Sequence, residues 1–270
     1  MEDIRVTSRE TNESWSIPLL YEDEDLMALS KPSGLLTSPD RYDPKRPNLM
    51  RLLHEAIERG APWAVQRHLA YLMNAHRLDF ETSGLLLLAK NKPALISLAN
   101  LFGIQKPLKK YAALIHGVPD KKDFHVDAKL APHPVKLGRM RVDHKEGKFS
   151  VTNFTVREVF TGCALLDCFP LTGRTHQIRA HLSYVKHPVI GDSTYGGEPL
   201  LLSHLKPGYR LKPGRTENPL MARVALHAES ISFPHPRTGE TVSIEAPWPK
   251  DLTVALRYLR RYAMPYQPGV

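Results

Sequence analysis

Apolar residues in this chain come in short runs punctuated by turn formers, a rhythm that predicts many strands and a few amphipathic helices. Residues 17–36, IPLLYEDEDLMALSKPSGLL, carry two such runs around an acidic turn, which predicts a hairpin opening into an irregular Lys-Pro-Ser-Gly loop. In NLMRLLHEAIERG (48–60), Leu49, Leu52, Leu53 and Ala56 share one helical face, with Asn48 as N-cap and Gly60 as terminator. GLLLLAK reads as a strand buried on both faces. KPALISLANLF reads as a helix opened by Pro93, with Leu95, Leu98, Ala99 and Phe102 as its core stripe.

The second half repeats the theme. KKYAALIHGV, FSVTNFTVREVF and CALLDCFPLTG read as strands. THQIRAHLSYVKHP reads as a helix capped by Thr175, with Ile178, Leu182 and Val185 on its apolar side and Pro188 ending it. Residues 198–222 are basic, punctuated by Pro and Gly and without period, an insertion loop. VALHAESISFPHPRTGETVSIEAP predicts a hairpin turning at PRTG. Residues 251–262 predict a final helix that buries Leu252, Ala255, Leu256 and Leu259 and turns three arginines outward. Residues 1–16 read as a loose polar arm. No repeat or low-complexity linker interrupts the pattern, so the expected architecture is α+β, one domain over residues 1–270 with its core between about 18 and 249.

Charge narrows the function. Lys and Arg outnumber Asp and Glu by 37 to 28, a net +9 with histidines neutral, which favours a polyanionic partner such as nucleic acid. The N-terminus has no apolar stretch of the kind a secretory signal needs. The longest apolar stretch, GLLLLA, is far too short to cross a bilayer, so no membrane partner is expected. Two cysteines, Cys163 and Cys168, lie five positions apart on a predicted strand and face opposite ways, so they read as reduced and structural, in keeping with a cytoplasmic location.

Three stretches carry candidate chemistry. In HRLDFETSG (76–84) a single acid, Asp79, stands behind Arg77 and just ahead of a buried strand. His76 and Thr82 are polar groups able to fix the loop around it, and Gly84 permits close backbone approach. In GRTHQIRAH (173–181), Arg174 precedes a helix whose dipole disfavours a cation there, so a carboxylate or phosphate partner is expected. Gln177 and Arg179 lie a turn further on as supports. In KKYAALIHG, Tyr111 sits beside two lysines, as a base-stacking pocket requires. No metal site is expected. His176 and His181 lack helical ligand spacing, and the acids Glu22 to Asp25 form an exposed turn. No nucleotide or dinucleotide fingerprint is present, and no cofactor is expected.

Taken in order, KPSGLLTSP (31–39), HRLDFETSGLLLLAKN (76–91), KPLKKYAALIHG (106–117), GRTHQIRAHLSYVKHPVIGDSTYGG (173–197) and LHAESISFPHP (226–236) resemble the RluA-type family of RNA pseudouridine synthases. The resemblance implies a mixed, mostly antiparallel central sheet with flanking helices and loops around an active-site cleft. It implies isomerisation of uridine in structured ribosomal or transfer RNA, without cofactor; a monomer is the default expectation. On the matching positions it implies that Asp79 is the catalytic residue, that Arg77 helps displace the target base, that Tyr111 packs on the uracil and that Arg174 pairs with Asp79. Whether Asp79 attacks the sugar, attacks the base or removes a sugar proton stays open at this level. Only thirty residues precede Lys31, so the small N-terminal RNA-binding domain of many relatives is not expected. RNA grip is then expected from the catalytic domain, through 206–215 and 136–148. The competing class is a non-catalytic RNA-binding protein on the same fold. A metal-dependent nuclease is disfavoured because only one acid is well placed.

Overall fold

The computed structural model describes residues 3–40, 43, 45–212 and 214–264; Met1 and Glu2 of the expected arm and Pro213 of the basic loop lie outside the described residues. In chain order the strands and helices are β1 (Ile4–Thr7), β2 (Ser14–Ile17), β3 (Leu19–Glu22), β4 (Leu26–Lys31), α1 (Leu49–Glu58), α2 (Pro62–Val65), β5 (Met73–Asn74), β6 (Ser83–Ala89) and α3 (Lys92–Gly103). There follow β7 (Leu108–His116), β8 (Asp123–Asp127), β9 (Leu130–Pro132), β10 (Met140–Val142), β11 (Val151–Phe160), β12 (Cys163–Pro170) and α4 (Gln177–Tyr184). The chain ends through β13 (Leu226–Pro234), β14 (Thr241–Glu245) and α5 (Lys250–Tyr262). The class is α+β, as expected, and the strand pairings within each unit below are antiparallel. No helix is long and apolar enough to cross a membrane among the described residues.

The chain divides into two compact units, where the sequence reads as one domain. The first comprises Met1–Lys109 and Ala228–Pro247; the second comprises Lys110–His227 and Trp248–Val270. The chain passes between them inside β7, inside β13 and just ahead of α5. No Pro/Gly-rich linker therefore marks the division in the sequence.

In the first unit β4 and β6 pair in register from Leu26↔Ala89 to Lys31↔Gly84, β3 pairs with β4, and β14 with β13. Every residue of β6 is buried, as its unbroken apolar run predicts. Leu85 and Leu87 pack with Leu26, Ala28, Ile231 and Phe233 and with Ala94 and Leu98 of α3. Ala99, expected on that stripe, is exposed; Ala94 takes the buried position instead. The opening segment is a strand pair rather than a loose arm: β1 and β2 join from Ile4↔Ile17 to Thr7↔Ser14, with Ile4, Val6 and Ile17 buried. Its strands are four residues long and the apolar side is only two or three residues wide, which hides the period among polar neighbours.

Gly84 begins the buried strand with φ +112°, and a Cβ there would lie 2.3 Å from the Ala228 carbonyl oxygen. Gly84→Ala is expected to destabilise the protein by roughly 2–3 kcal/mol, through the clash and the positive φ together. Urea unfolding measures it, and an unchanged midpoint would refute the close approach.

In the second unit the strand order is β7-β12-β11-β8, and β9 with β10 forms a separate small hairpin. Ala112–Ile115, Ala164–Leu166, Phe154 and Phe160 form its core with Ile178 and Leu182 of α4 and the buried stripe of α5. Cys163 and Cys168 are both buried and free. The expected loop at 198–222 has its ends held together by a bridge between Leu200 and Met221, both buried, and contains one short turn of helix at Leu202–His204.

Candidate active site

Asp79 lies between β5 and β6 of the first unit on a loop that the KPSGLLTSP segment grips residue by residue. Thr37 Oγ1 accepts from the Leu78 amide at 3.1 Å and donates to the Leu78 carbonyl at 2.9 Å. The Gly34 amide donates to the Phe80 carbonyl at 2.8 Å, and Ser33 Oγ donates to the Glu81 carbonyl at 2.7 Å. The Thr82 amide closes the turn on the Asp79 carbonyl at 3.2 Å. Residues on both sides of Asp79 are thus pinned, while Asp79 itself is only half-buried. A loop held this way presents its side chain without further ordering cost.

Lys31, fully buried, organises the gripping segment from inside. Its Nζ donates to the carbonyls of Leu35 at 2.6 Å and Pro32 at 2.8 Å, with Phe80 at 3.5 Å. A buried ammonium is tolerated only when its donors are met, and here they meet the carbonyls of the turn they shape. Neither Lys31 nor Thr37 was singled out for this work by its sequence context. The pairing of residues 37 and 78 has no signature in either segment alone.

Of the expected supports, His76 acts through its ring. It stacks on Phe102 with centroids 5.2 Å apart, and its Nε2 accepts from the Leu87 amide at 3.0 Å. Burial first, and then the charge of Lys109, pull its pKa down to about 4, against a weaker opposing pull from the Arg77 backbone. Lys109 is itself drawn down to about 8 by burial. A base whose folded pKa lies below its unfolded value makes stability rise with pH between the two. Stability is therefore expected to fall as pH drops from about 6.5 to about 4, by up to about 3 kcal/mol from His76. Titration of the His76 ring proton by NMR, beside urea unfolding across that range, checks this; a ring titrating near 6.5 would sink it. Thr82 supports the loop through its amide, for its buried hydroxyl has no hydrogen-bond partner among the described residues. Arg77 is exposed.

The remaining expected site residues belong to the second unit. Tyr111 sits on β7 opposite Cys168 of β12, half-buried against the core. Arg174 is exposed on the loop ahead of α4, and its Nε donates to the Phe149 carbonyl at 3.1 Å. Gln177 is the organiser of that loop. Its Oε1 accepts from Thr172 Oγ1 at 2.6 Å and from the Arg174 amide at 3.0 Å, and its Nε2 donates to Val151 O and Thr152 Oγ1. The expected cap, Thr175, is displaced: α4 starts at Gln177 after His176 in the left-handed region, φ 52°. The Gln177 side chain holds the loop in the place of a hydroxyl cap.

Arg179 does not face outward. Its guanidinium, 3% exposed, makes a two-pronged pair with the fully buried Asp192 at 2.6 and 2.8 Å and lies over the Tyr195 ring. It braces the second unit from within.

One cluster has metal-like composition. Donor atoms of Asp23, Asp25 and His235 lie within 4.8 Å of one another. Hydrogen bonds occupy Asp23 and His235, and Asp25 Oδ2 forms an ion pair with Arg237 at 2.7 Å. Asp23 accepts from the amides of Asp25 and Leu26, from Tyr21 and from His235 Nε2, while His235 Nδ1 accepts from the amides of Arg237 and Thr238. Burial alone would raise the Asp23 carboxyl, but these hydrogen bonds outweigh it and leave it below the usual range; the same contact pushes Tyr21 up to about 12. With both ring nitrogens of His235 engaged, the cluster closes the β3–β4 turn on the β13–β14 turn.

The sequence model of a family described as RNA pseudouridylate synthase matches residues 25–184. A protein of Nitrosomonas europaea named ribosomal large subunit pseudouridine synthase D is 35% identical over 96% of this chain and 72% of its own length. Synthase C of the large subunit from Salmonella typhi is 36% identical over 91% and 70%. An uncharacterized RNA pseudouridine synthase of Bacillus subtilis, YlyB, is 33% identical over 92% and 75%. Among solved structures, human RNA pseudouridylate synthase domain containing 4 superposes with a TM-score of 0.65 at 23% identity, over 90% of this chain and 92% of that one. That likeness bears on the fold.

Proposed function

Because the chain belongs to the RNA pseudouridylate synthase family, we propose that it isomerises particular uridines of ribosomal RNA to pseudouridine, with Asp79 as the reacting carboxylate. Support for ribosomal RNA comes from the names of the Nitrosomonas and Salmonella relatives. Support for Asp79 comes from one observation above the rest. The 31–37 segment holds the backbone of Leu78, Phe80 and Glu81, on both sides of the half-buried Asp79.

The reaction cleaves the bond from C1′ of the ribose to N1 of uracil, turns the base, and joins C1′ to C5. The proton lost from C5 is balanced by one gained at N1, so product and substrate are isomers and no electrons leave. One carboxylate positioned at the nucleoside suffices as nucleophile or base, and no redox partner enters the balance. Bringing the base out of folded RNA costs a few kcal/mol of unstacking. Arg77, exposed beside Asp79, fits the part of filling the vacated position. Tyr111 fits that of stacking on the uracil, worth roughly 1–3 kcal/mol, and Arg174 that of countering the Asp79 charge.

A map of pseudouridine in cellular ribosomal and transfer RNA, with the gene intact, deleted, and restored as Asp79→Asn, tests the reading. One or a few ribosomal sites are expected to vanish on deletion and to stay absent with the Asn variant. Loss confined to transfer RNA would move the substrate class, and an unchanged map would overturn the catalytic reading in favour of a binding protein.

A further inference from the structure

α5 presents chemistry that the proposed reaction does not use. Its inner stripe, Leu252, Ala255, Leu256 and Leu259, is buried in the second unit. On its other side two rows run along the axis at i, i+4 spacing: Tyr258 with Tyr262, and Arg257 with Arg261. The tyrosine rings stack with centroids 6.1 Å apart and 21° between planes. The Arg257 guanidinium lies 5.6 Å from the Tyr258 centroid and that of Arg261 5.3 Å from Tyr262. Lys206, from the basic loop, brings its Nζ to 5.9 Å from the same Tyr262 ring.

These cations differ from their neighbours in lacking an acid. Arg260, on the same helix, is paired with Glu158, and Arg223 of the same unit holds Asp251 at the start of α5. Among the described residues, Arg257, Arg261 and Lys206 have no carboxylate within ion-pair distance. The helix dipole favours cations in the last turn, which accounts for Arg260 and Arg261 but neither for Arg257 nor for Lys206 from another segment. A ring against a guanidinium covers its face and leaves its N–H edge outward. That edge is the geometry that takes a phosphate by two parallel hydrogen bonds. Three uncompensated cations held by two aromatic rings, on a chain of net +9, complement a phosphodiester backbone.

We infer that the outer face of α5, with Lys206, is a phosphate-binding surface for the RNA substrate, additional to the residues that act on the uridine; the inference rests on the RNA reading above. The test uses the full chain, a fluorescein-labelled 20-nucleotide single-stranded RNA of mixed sequence for binding, and unmodified ribosomal RNA for turnover. Arg257→Ala/Arg261→Ala is expected to weaken binding about 10-fold at 100 mM salt and to lower the slope of log affinity against log salt by roughly 1.4, the value for two lost single-strand contacts. Lys121→Ala/Lys122→Ala, removing equal charge from an exposed turn of the same unit, is expected to leave the slope unchanged. Arg257→Lys/Arg261→Lys, which keeps charge and helix propensity, is expected to retain the slope with weaker binding, and guards against a variant that fails to fold. If both alanine pairs weaken binding alike, bulk charge is responsible and the surface is not a site. If wild type binds and turns over RNA and the arginine variant matches it, this inference alone falls. If wild type neither binds nor modifies RNA, the RNA reading falls with it.

Discussion

Asp79→Asn is expected to abolish pseudouridine formation, a loss of roughly 10⁴-fold or more, at the upper end of what a positioned acid–base group contributes. RNA affinity and the unfolding midpoint are expected to stay near wild type. Asparagine keeps the shape of aspartate, and backbone hydrogen bonds on both sides of residue 79 hold the loop. Thr37, Gly34 and Ser33 bind the backbone of Leu78, Phe80 and Glu81, and Thr82 binds the Asp79 carbonyl through its own amide. Single-turnover assays with ribosomal RNA, beside a binding isotherm and a urea melt, separate the outcomes. Retained turnover would remove Asp79 from the chemistry. A collapsed melt would make it a structural aspartate that the fold requires.

Arg179→Met is expected to cost about 3–5 kcal/mol of stability, because it strands Asp192 as a buried, unpaired carboxylate. Both groups are almost wholly out of water and bonded at two points. The damage is expected to spread to the loop carrying Arg174. Tyr195, under the Arg179 guanidinium, accepts from the Met140 amide and bonds His176, and its carbonyl accepts from Ser183. Arg179→Met combined with Asp192→Leu is expected to recover much of the loss, since it removes the orphaned charge as well as its partner. A double variant no more stable than the single one would show that the pair is needed for more than mutual neutralisation.

The helices and strands that were legible share one property: their signal is repeated within a few residues. α1 and α5 show a buried stripe over three turns, and β6 is apolar throughout. The β1–β2 pair leaves no such signal, because two four-residue strands carry too few alternating residues to stand out. A hydroxyl before an apolar run is the usual sign of a cap, and it points to Thr175 for α4. The cap work there falls to Gln177, whose partners Val151 and Thr152 come from β11.

By itself the sequence determined the α+β class, the identity of most elements, and, through motif order, the family and the residue types available for chemistry. These depend on local period, turn chemistry and the spacing of residues along one strand or loop. Only the tertiary structure decided that Thr37 and Ser33 grip the Asp79 loop, that Arg179 is a brace facing Asp192, and that Asp23 and His235 meet across 212 positions. It also decided that Lys206 joins the tyrosines of α5. A hydrogen bond or ion pair between distant segments is selected by where the packed core carries their backbones, and no spacing along the chain records that distance.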